Sequence, residues 1–351
     1  MIPPFLLGGK MIFKTREADG ESVLTGFGCL FVLITMPIWI VIGLASSVFR
    51  SATSSSTADE SFKPLSEETV RRRQKRFFSK GNLGPEEFWE VEISYTQVKI
   101  PKRSGGTRNL SVPSSSLKGL QKQLAKILEA ELGSKVHKTA NAYVKGRNTV
   151  TNSLPHVGCA ILIKLDIKDF FPTVTREMLA PIISAMAFYE PKTISRLLDI
   201  CVTENGLPQG APTSPILSNL VLRDFDVAAY RLAARIDAKY TRYADDLTFS
   251  LETDDSKKAR KIVAAVRNML AERGFELNEK PNKLKILRRH QSQQVCGITL
   301  NSGKPTISRQ QRRKLRAAKH AATKGEVPES RLNQVNGWES YVAYVQNFKV
   351  G

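Results

Sequence analysis

Two short runs of β-type residues flank a pair of aspartates, and this arrangement constrains the fold more than any other feature of the chain. Residues 240–244 (Tyr-Thr-Arg-Tyr-Ala) and 247–251 (Leu-Thr-Phe-Ser-Leu) are separated only by Asp245 and Asp246. Aromatic and β-branched residues around a tight polar turn predict a β-hairpin with both carboxylates at its tip. Because aspartate is favoured in turns anyway, an isolated Asp-Asp pair would indicate only a plain turn.

A third aspartate changes that interpretation. Asp166 follows the apolar run Ala160–Leu165, which predicts a buried strand. Neighbouring strand ends can bring carboxylates together, and clustered carboxylates repel one another unless cations neutralise them. Mg²⁺ is bound by one or two carboxylates together with water and substrate phosphates. The three aspartates therefore predict a site for two Mg²⁺ ions that activates a hydroxyl and stabilises a leaving pyrophosphate.

Helical patterns surround these strands. Apolar residues at helical spacing predict helices at 115–132, 178–186, 193–202, 215–235 and 257–273. Together with the hairpin, they predict an α+β fold with an antiparallel sheet rather than a doubly wound parallel one.

Three ordered motifs resemble those of reverse transcriptases. Tyr243-Ala244-Asp245-Asp246 is similar to the catalytic turn of that family, and residues 166–172 (Asp-Ile-Lys-Asp-Phe-Phe-Pro) resemble its first palm motif. Residues 206–215 (Gly-Leu-Pro-Gln-Gly-Ala-Pro-Thr-Ser-Pro) resemble the motif between them. The resemblance covers about residues 90–345. It implies a right-hand polymerase, with fingers, a palm containing the antiparallel sheet and a short helical thumb, which copies RNA into DNA.

The resemblance also assigns roles to individual residues. Asp166, Asp245 and Asp246 match the catalytic carboxylates, and the positions expected to bind metal are Asp166, Ile167, Asp245 and Asp246. Phe171 matches the steric gate, a bulky ring that selects deoxynucleotides by clashing with a ribose 2′-OH. Gln209 and Gly210 match residues at the pocket of the incoming nucleotide. Phe171 as a plain core residue and Gly210 as part of a plain turn remain alternatives.

Two further segments supply expected nucleotide contacts. Residues 99–108 (Lys-Ile-Pro-Lys-Arg-Ser-Gly-Gly-Thr-Arg) predict a basic hairpin with a Gly-Gly tip. In the family this fingers element holds the triphosphate, which implicates Lys102 and Arg108, although a merely solvated hairpin is the alternative. Residues 277–283 occupy the place of the lysine-bearing palm motif, and Lys280 is the residue we expect to act there.

Two short elements resemble those of the retron branch. Residues 152–156 (Asn-Ser-Leu-Pro-His) and 295–297 (Val-Cys-Gly) resemble the Asn-Ala-x-x-His and Val-Thr-Gly elements of retron enzymes, and each departs at one position. The resemblance implies RNA contacts at Asn152, His156, Val295, Cys296 and Gly297. A lone histidine such as His156 is more often a structural residue.

The C-terminal region is basic. Residues 309–324 contain seven Lys or Arg and no acidic residue, which is typical of a helix lying along a phosphate backbone. The residues expected to bind RNA there are Arg312, Arg313, Lys314 and Arg316. Trp338 either packs in a small thumb or stacks on bases. The short segment after the palm leads us to expect that RNase H activity comes from another protein of the host.

The charge of the whole chain fits this interpretation. It has 53 Lys and Arg against 33 Asp and Glu, a net charge of +20. Such an excess fits a polyanion, either nucleic acid or an acidic membrane surface, and its spread along the chain favours nucleic acid.

The N-terminal region predicts a membrane anchor. No residue from Ser22 to Phe49 is charged, and a helix over residues 23–45 would span about 35 Å, enough to cross a bilayer. A signal peptide or a buried soluble helix are the alternatives. The expected organisation is a tail at 1–22, a transmembrane helix at 23–49, a Ser/Thr-rich and basic linker at 50–75, fingers and palm at 76–300 and a basic thumb at 301–351.

Function is expected from the resemblance. A retron reverse transcriptase uses a cognate structured non-coding RNA as template and primer, starts from a guanosine 2′-OH and makes a branched RNA-linked DNA from dNTPs. Such enzymes usually serve antiphage defence with an accessory or effector protein. We therefore expect a catalytic domain in the cytoplasm, anchored to the inner membrane. Alternatives are a group II intron-like or abortive-infection reverse transcriptase, or a membrane-anchored RNA-binding scaffold that does not polymerise.

Overall fold

The computed structural model describes residues 66–101, 106–184, 190–324 and 328–348. The predicted tail at 1–22 and the predicted transmembrane helix at 23–49 lie outside these residues. Within the described residues, no helix is both long enough and apolar enough to cross a membrane.

Helices and strands are mixed along the described part of the chain. The helices are α1 (Glu67–Gly81), α2 (Pro85–Glu90), α3 (Ser115–Leu132), α4 (Thr149–Ser153), α5 (Phe170–Thr173), α6 (Arg176–Ser184), α7 (Pro191–Cys201), α8 (Ser214–Val221), α9 (Arg223–Arg235), α10 (Ser256–Ala271), α11 (Arg309–Thr323) and α12 (Glu329–Asn347). The strands are β1 (Tyr95–Pro101), β2 (Thr107–Pro113), β3 (Ile161–Asp166), β4 (Ala238–Tyr243), β5 (Asp246–Leu251), β6 (Lys285–Arg288), β7 (Gln294–Val295), β8 (Ile298–Thr299) and β9 (Thr306–Ile307).

The central sheet carries the predicted hairpin. Its strand order is β4-β5-β3-β6, and every neighbouring pair in it is antiparallel. Strands β1 and β2 form a separate two-stranded sheet, and β7, β8 and β9 form a three-stranded one. The predicted α+β fold with an antiparallel sheet is therefore confirmed.

The main core lies between this sheet and the helices packed on it. Helix α3 follows its predicted bounds, and its apolar face (Leu117, Leu120, Leu124 and Leu128) is fully buried. Helix α10 buries Ile262 and Val266 in the same cluster. Burying a leucine or isoleucine side chain contributes about 1.5–3 kcal/mol, so these helices hold the sheet in place.

A second, smaller hydrophobic cluster joins the C-terminal helix α12 to strand β3 of the central sheet. It contains Val150 of α4, Leu162 of β3, Val295, Ile298 and Val345 of α12. Side-chain contacts reinforce it, since the Asn148 amide donates to the Tyr344 hydroxyl at 2.8 Å. Helix α12 is therefore packed against the central sheet and the small C-terminal sheet rather than joined to them only by the chain.

Two segments differ from the sequence-based predictions. Residues 67–75, expected in a basic linker, form the first part of α1, because the Ser66 hydroxyl caps the helix at Thr69 and Phe77 anchors it in the core. The single helix predicted at 215–235 is two helices, α8 and α9, which break at Leu222. Leu222 is fully buried, and its ψ near 3° ends the first helix. The apolar periodicity of the sequence cannot show that the backbone of one residue leaves the helical conformation.

Candidate active site

Strand register brings the three predicted aspartates to one end of the central sheet. Asp166, the last residue of β3, pairs with Asp246, the first residue of β5. Asp245 precedes it in the turn, and the Ile167 amide donates to the Asp245 carbonyl at 3.0 Å. The sequence-distant motifs thus meet because their strands are antiparallel neighbours.

Electrostatics at this edge favour a cation. Burial raises the pKa of Asp246 to about 6, and the neighbouring charge of Asp245 adds to this. Burial also raises the pKa of Asp245, and the charge of Asp166 acts in the same direction. Carboxylates that resist ionisation because of burial and mutual repulsion are stabilised by a bound divalent ion.

Asp166 has two partners that the sequence did not indicate. The Asn278 amide donates to Asp166 Oδ1 at 2.7 Å, and Lys283 Nζ lies 2.5 Å from Oδ2. Lys283, rather than Lys280, is therefore the lysine paired with Asp166, and the expected nucleotide contact of Lys280 stays a prediction. The turn at Asn282, with φ of +73°, returns Lys283 to the site while Lys280 stays exposed. Two lysines three positions apart gave no sequence signal to choose between them.

The aspartates fit Mg²⁺ by their chemistry rather than as a ready-made cage. Among the described residues, no group of three or more His, Cys, Asp or Glu side chains is already arranged to hold a metal ion. Magnesium sites that act on nucleotides take few protein carboxylates and complete their shell with water and phosphates. Ile167 is 1% exposed, and its side chain has no donor atom, so only its main-chain carbonyl could serve a metal.

The predicted nucleotide-pocket loop is fastened to both neighbouring motifs. The Leu207 amide donates to the Phe171 carbonyl at 2.9 Å, and the Ser111 amide of β2 donates to the Gln209 carbonyl at 2.9 Å. Two glycines permit these approaches. A Cβ on Gly206 would lie 2.3 Å from the Pro172 oxygen, and one on Gly210 would lie 2.9 Å from the Ser111 oxygen.

The expected nucleotide contacts occupy different settings around this loop. Phe171 is half-buried and packs against the main core, and its role as a steric gate stays a prediction. Gln209 is half-buried. Arg108 on β2 is exposed, and its charge offsets a small part of the rise that burial causes in the pKa of Asp245. Lys102 lies outside the described residues.

The two retron-like elements lie against each other. The Asn152 amide donates to Cys296 Sγ at 3.4 Å. Cys296 and Gly297 both have positive φ, +48° and +81°, and they form the two-residue turn between β7 and β8. This sign pattern is that of a type I′ turn, in which Asn-Gly is usual. The glycine of the Val-Cys-Gly element is therefore required by the backbone.

Burial corrects part of the RNA-contact prediction. The side chains of Asn152 and His156 are fully buried, and Val295 is 1% exposed, so in this conformation they cannot contact RNA directly. His156 instead bonds Ser250 of β5 at 2.7 Å and Thr241 of β4 at 2.8 Å. It therefore joins the two strands of the Asp-Asp hairpin, which is the structural role that a lone histidine usually has.

The basic helix α11 presents its predicted residues to solvent. Ser308 begins the helix with a capping box to Gln311. The exposed basic residues of its first turns are Arg312, Arg313, Lys314 and Arg316, while Leu315 between them is buried. Trp338 of α12 is half-buried, which agrees better with thumb packing than with a free stacking surface.

Comparisons with known proteins agree with this geometry. A family model described as reverse transcriptase (RNA-dependent DNA polymerase) matches residues 100–300. The retron Mx65 reverse transcriptase of Myxococcus xanthus is 36% identical over 267 residues, covering 71% of this chain and 60% of that protein. The retron Ec86 reverse transcriptase of Escherichia coli is 30% identical over 261 residues, covering 74% of this chain and 79% of that protein. The chain belongs to the retron branch of the reverse transcriptase family.

The similarity to retron enzymes extends over only part of the length of some relatives. This chain spans 60% of the length of the Mx65 relative, so whole-protein properties do not pass to it by similarity alone. Among solved structures, telomerase from Candida albicans is similar with a TM-score of 0.46 and 12% identity, over 77% of this chain and 56% of that one. That likeness is too low to add to the retron assignment.

Proposed function

We propose that this retron family member is an RNA-directed DNA polymerase. The observation that carries the proposal is the pairing of Asp166 with Asp246 at the sheet edge, with Asp245 held beside them by the Ile167 amide. Two carboxylates on strand ends and a third in the adjoining turn match the needs of phosphoryl transfer, in which positioning and charge stabilisation supply most of the catalysis.

In this proposal the three aspartates hold two Mg²⁺ ions. When bound, Mg²⁺ lowers the pKa of the attacking hydroxyl and stabilises charge on the leaving pyrophosphate. The raised pKa values of Asp245 and Asp246 support the proposal, because burial and mutual repulsion disfavour their charged forms and a bound cation would favour them. Lys283, which is paired with Asp166, supplies positive charge beside the three aspartates.

The direct test is the Asp245→Ala/Asp246→Ala variant. We expect it to make no DNA on a synthetic RNA template with a DNA primer and dNTPs, because the carboxylates are gone. It should still bind RNA, since the exposed basic face of α11 is unchanged. Wild-type synthesis by this variant would refute the mechanism. Absence of synthesis by the wild-type chain itself would favour the non-catalytic RNA-binding scaffold.

Selection of deoxynucleotides is proposed for Phe171. Its ring is half-buried, and its main-chain carbonyl accepts from the Leu207 amide of the loop that carries Gln209, which supports a position near the sugar of an incoming nucleotide. In Phe171→Val, the ratio of kcat/KM for a dNTP to that for the matching rNTP should fall by roughly tenfold or more, since loss of a steric clash is worth a few kcal/mol at most. An unchanged ratio with intact dNTP incorporation would assign Phe171 to the core alone.

The proposed template and primer is a cognate structured non-coding RNA. The exposed basic residues of α11 and the net charge of +20 support binding of a phosphate backbone. Synthesis would begin at a guanosine 2′-OH and give a branched RNA-linked DNA. Sequencing of nucleic acid that copurifies with the chain tests this, and a product without a 2′–5′ branch would contradict the priming step.

We also propose that residues 23–49 anchor the enzyme in the inner membrane. The uncharged run from Ser22 to Phe49 supports this, and cytosolic dNTPs and RNA place the catalytic part in the cytoplasm. Protease added to intact spheroplasts should leave residues 66–348 uncut. We further propose an antiphage role with an accessory or effector protein, which phage challenge of cells carrying the Asp245→Ala/Asp246→Ala variant would test. Removal of the RNA template is assigned to a host RNase H.

A further inference from the structure

An arginine is fully buried directly behind the aspartate turn. Arg242 lies on β4, two residues before Ala244, and has no exposed surface. A guanidinium is never neutral in proteins, and burying one is unfavourable unless its donors are all engaged. Its contacts therefore indicate what the surrounding structure requires of it.

One side of the guanidinium is held by a carboxylate. Nε donates to Asp226 Oδ1 at 2.9 Å, and Nη2 donates to Asp226 Oδ2 at 2.7 Å. The Tyr240 hydroxyl also donates to Asp226 Oδ1, at 2.7 Å. Asp226 is itself fully buried on α9, so this two-point contact fixes the plane of the guanidinium against a helix.

The remaining nitrogen is directed at the turn. Nη1 donates to the Ala244 carbonyl at 3.1 Å and to Asn219 Oδ1 at 3.0 Å. Asn219 is fixed in turn, because its amide donates to the Ala142 carbonyl at 2.8 Å. The main chain of Arg242 is held on both sides, by the Thr139 carbonyl and the Asn141 amide, each at 2.8 Å.

The residue that receives this contact has a strained backbone. Ala244 has φ of +55°, a left-handed conformation that costs a residue with a Cβ roughly 1–2 kcal/mol and usually calls for glycine. Tyr243 pairs with Asp246 across the turn, so Ala244 and Asp245 form its two central residues. The φ of Ala244 thus sets the direction in which Asp245 and Asp246 leave the turn.

We propose that Arg242 is a positioning residue, which holds the Ala244 carbonyl so that the strained turn presents Asp245 and Asp246 in the geometry needed for nucleotide addition. The proposal rests on the polymerase activity proposed above and goes beyond it, because Arg242 is fully buried and acts on the aspartates through the Ala244 carbonyl. Asp226 acts as the support that orients the guanidinium, and Asn219 steadies its Nη1.

The first test is Arg242→Lys. A lysine keeps the charge that Asp226 needs, but one ammonium group cannot make the two-point contact and also reach the Ala244 carbonyl. On a synthetic RNA template with a DNA primer, the rate constant for single-turnover dNTP incorporation should fall on the order of 10- to 100-fold. The Mg²⁺ concentration for half-maximal rate should rise, while the KM for dNTP and the affinity for template–primer change less than threefold.

A second variant separates positioning from folding. The triple substitution Arg242→Met/Asp226→Leu/Tyr240→Phe replaces the buried polar group by apolar residues, an exchange that is often neutral or stabilising. We expect this variant to keep a Tm within a few degrees of wild type and still to show the reduced rate constant and raised Mg²⁺ requirement. A merely structural role would instead reduce the amplitude of single-turnover incorporation, because fewer molecules are folded, and would leave the rate constant unchanged.

A matched control is available away from the site. Arg196 also donates to main-chain carbonyls, those of Phe88 at 3.1 Å and Val91 at 2.8 Å, and Arg196→Lys should leave the rate constant and the Mg²⁺ requirement unchanged. Wild-type rate constants and Mg²⁺ dependence in both Arg242 variants would overturn the proposal. Failure of the wild-type chain to incorporate dNTPs would instead contradict the proposed function.

Discussion

Replacing His156 should make the stability of the fold less sensitive to acid. The Thr241 hydroxyl donates to the Asn152 carbonyl at 3.0 Å, so it accepts a hydrogen bond from His156 Nε2–H, and Nδ1 accepts one from the Ser250 hydroxyl. The imidazole is therefore the neutral Nε2–H tautomer. A second proton, on Nδ1, would force the Ser250 hydroxyl to turn its own hydrogen away and accept instead, and the added charge would be fully buried.

The magnitude follows from the pKa of this group. Burial lowers the pKa of His156 from 6.5 to about 3. Between these two values the unfolded chain binds a proton that the folded chain does not, so the free energy of unfolding falls as the pH drops below 6.5. Each pH unit in that window is worth about 1.4 kcal/mol, and the contribution lost between pH 8 and pH 5 is about 2 kcal/mol.

Urea unfolding of the full chain measures this contribution. The free energy of unfolding should drop about 2 kcal/mol more between pH 8 and pH 5 in wild type than in His156→Gln, because glutamine can donate to Thr241 but does not titrate. Any packing defect in the variant is present at both pH values and cancels. His290 is exposed, so His290→Gln should keep the wild-type pH dependence. Equal pH dependence in wild type and His156→Gln would refute the reasoning.

Two further predictions use matched pairs of substitutions. Gly206→Ala should lower the free energy of unfolding by about 3 kcal/mol, since its Cβ would meet the Pro172 oxygen at a φ of +82°. Gly119→Ala, which has open space inside α3, should raise the free energy of unfolding by about 0.5–1 kcal/mol. Urea unfolding measures both variants, and equal effects would contradict the predicted clash at Gly206. Lys283→Met should reduce kcat for dNTP incorporation roughly tenfold or more, because the Lys283 ammonium lies at Asp166. Lys280→Met should leave kcat within about twofold of wild type. A larger loss of kcat in Lys280→Met than in Lys283→Met would assign the role to Lys280.

Local sequence patterns predicted the elements of this fold well where burial repeats along a helix or strand. Helix α3 begins and ends at the predicted residues, because its apolar spacing and terminal Gly133 are both local signals. The helix predicted at 215–235 is in fact two helices that break at Leu222. The sequence did not predict the break, because the apolar pattern continues across it. Residues 67–75 of α1 were missed because exposed arginines resemble a solvated linker as much as a helix face.

The site shows the same division. The motifs around Asp166 and Asp245 identified the carboxylates, since both motifs are local in sequence and stand next to apolar runs that predict strands. Lys283, by contrast, depends on a left-handed turn at Asn282, and Arg242 gave no signal at all. An arginine in a strand normally indicates an exposed position, and only the carboxylate of Asp226, brought in by α9, makes its burial tolerable.

The sequence by itself determined the family, the α+β class and the aspartates of the hairpin, because these follow from residue types in a fixed local order. The tertiary structure decided which lysine reaches Asp166, that His156 joins two strands instead of facing RNA, and that Arg242 lies behind the turn. The physical reason is that burial and pairing depend on what a different part of the chain brings alongside. A side chain's type limits the contacts it can make, but its neighbours decide which of them it makes.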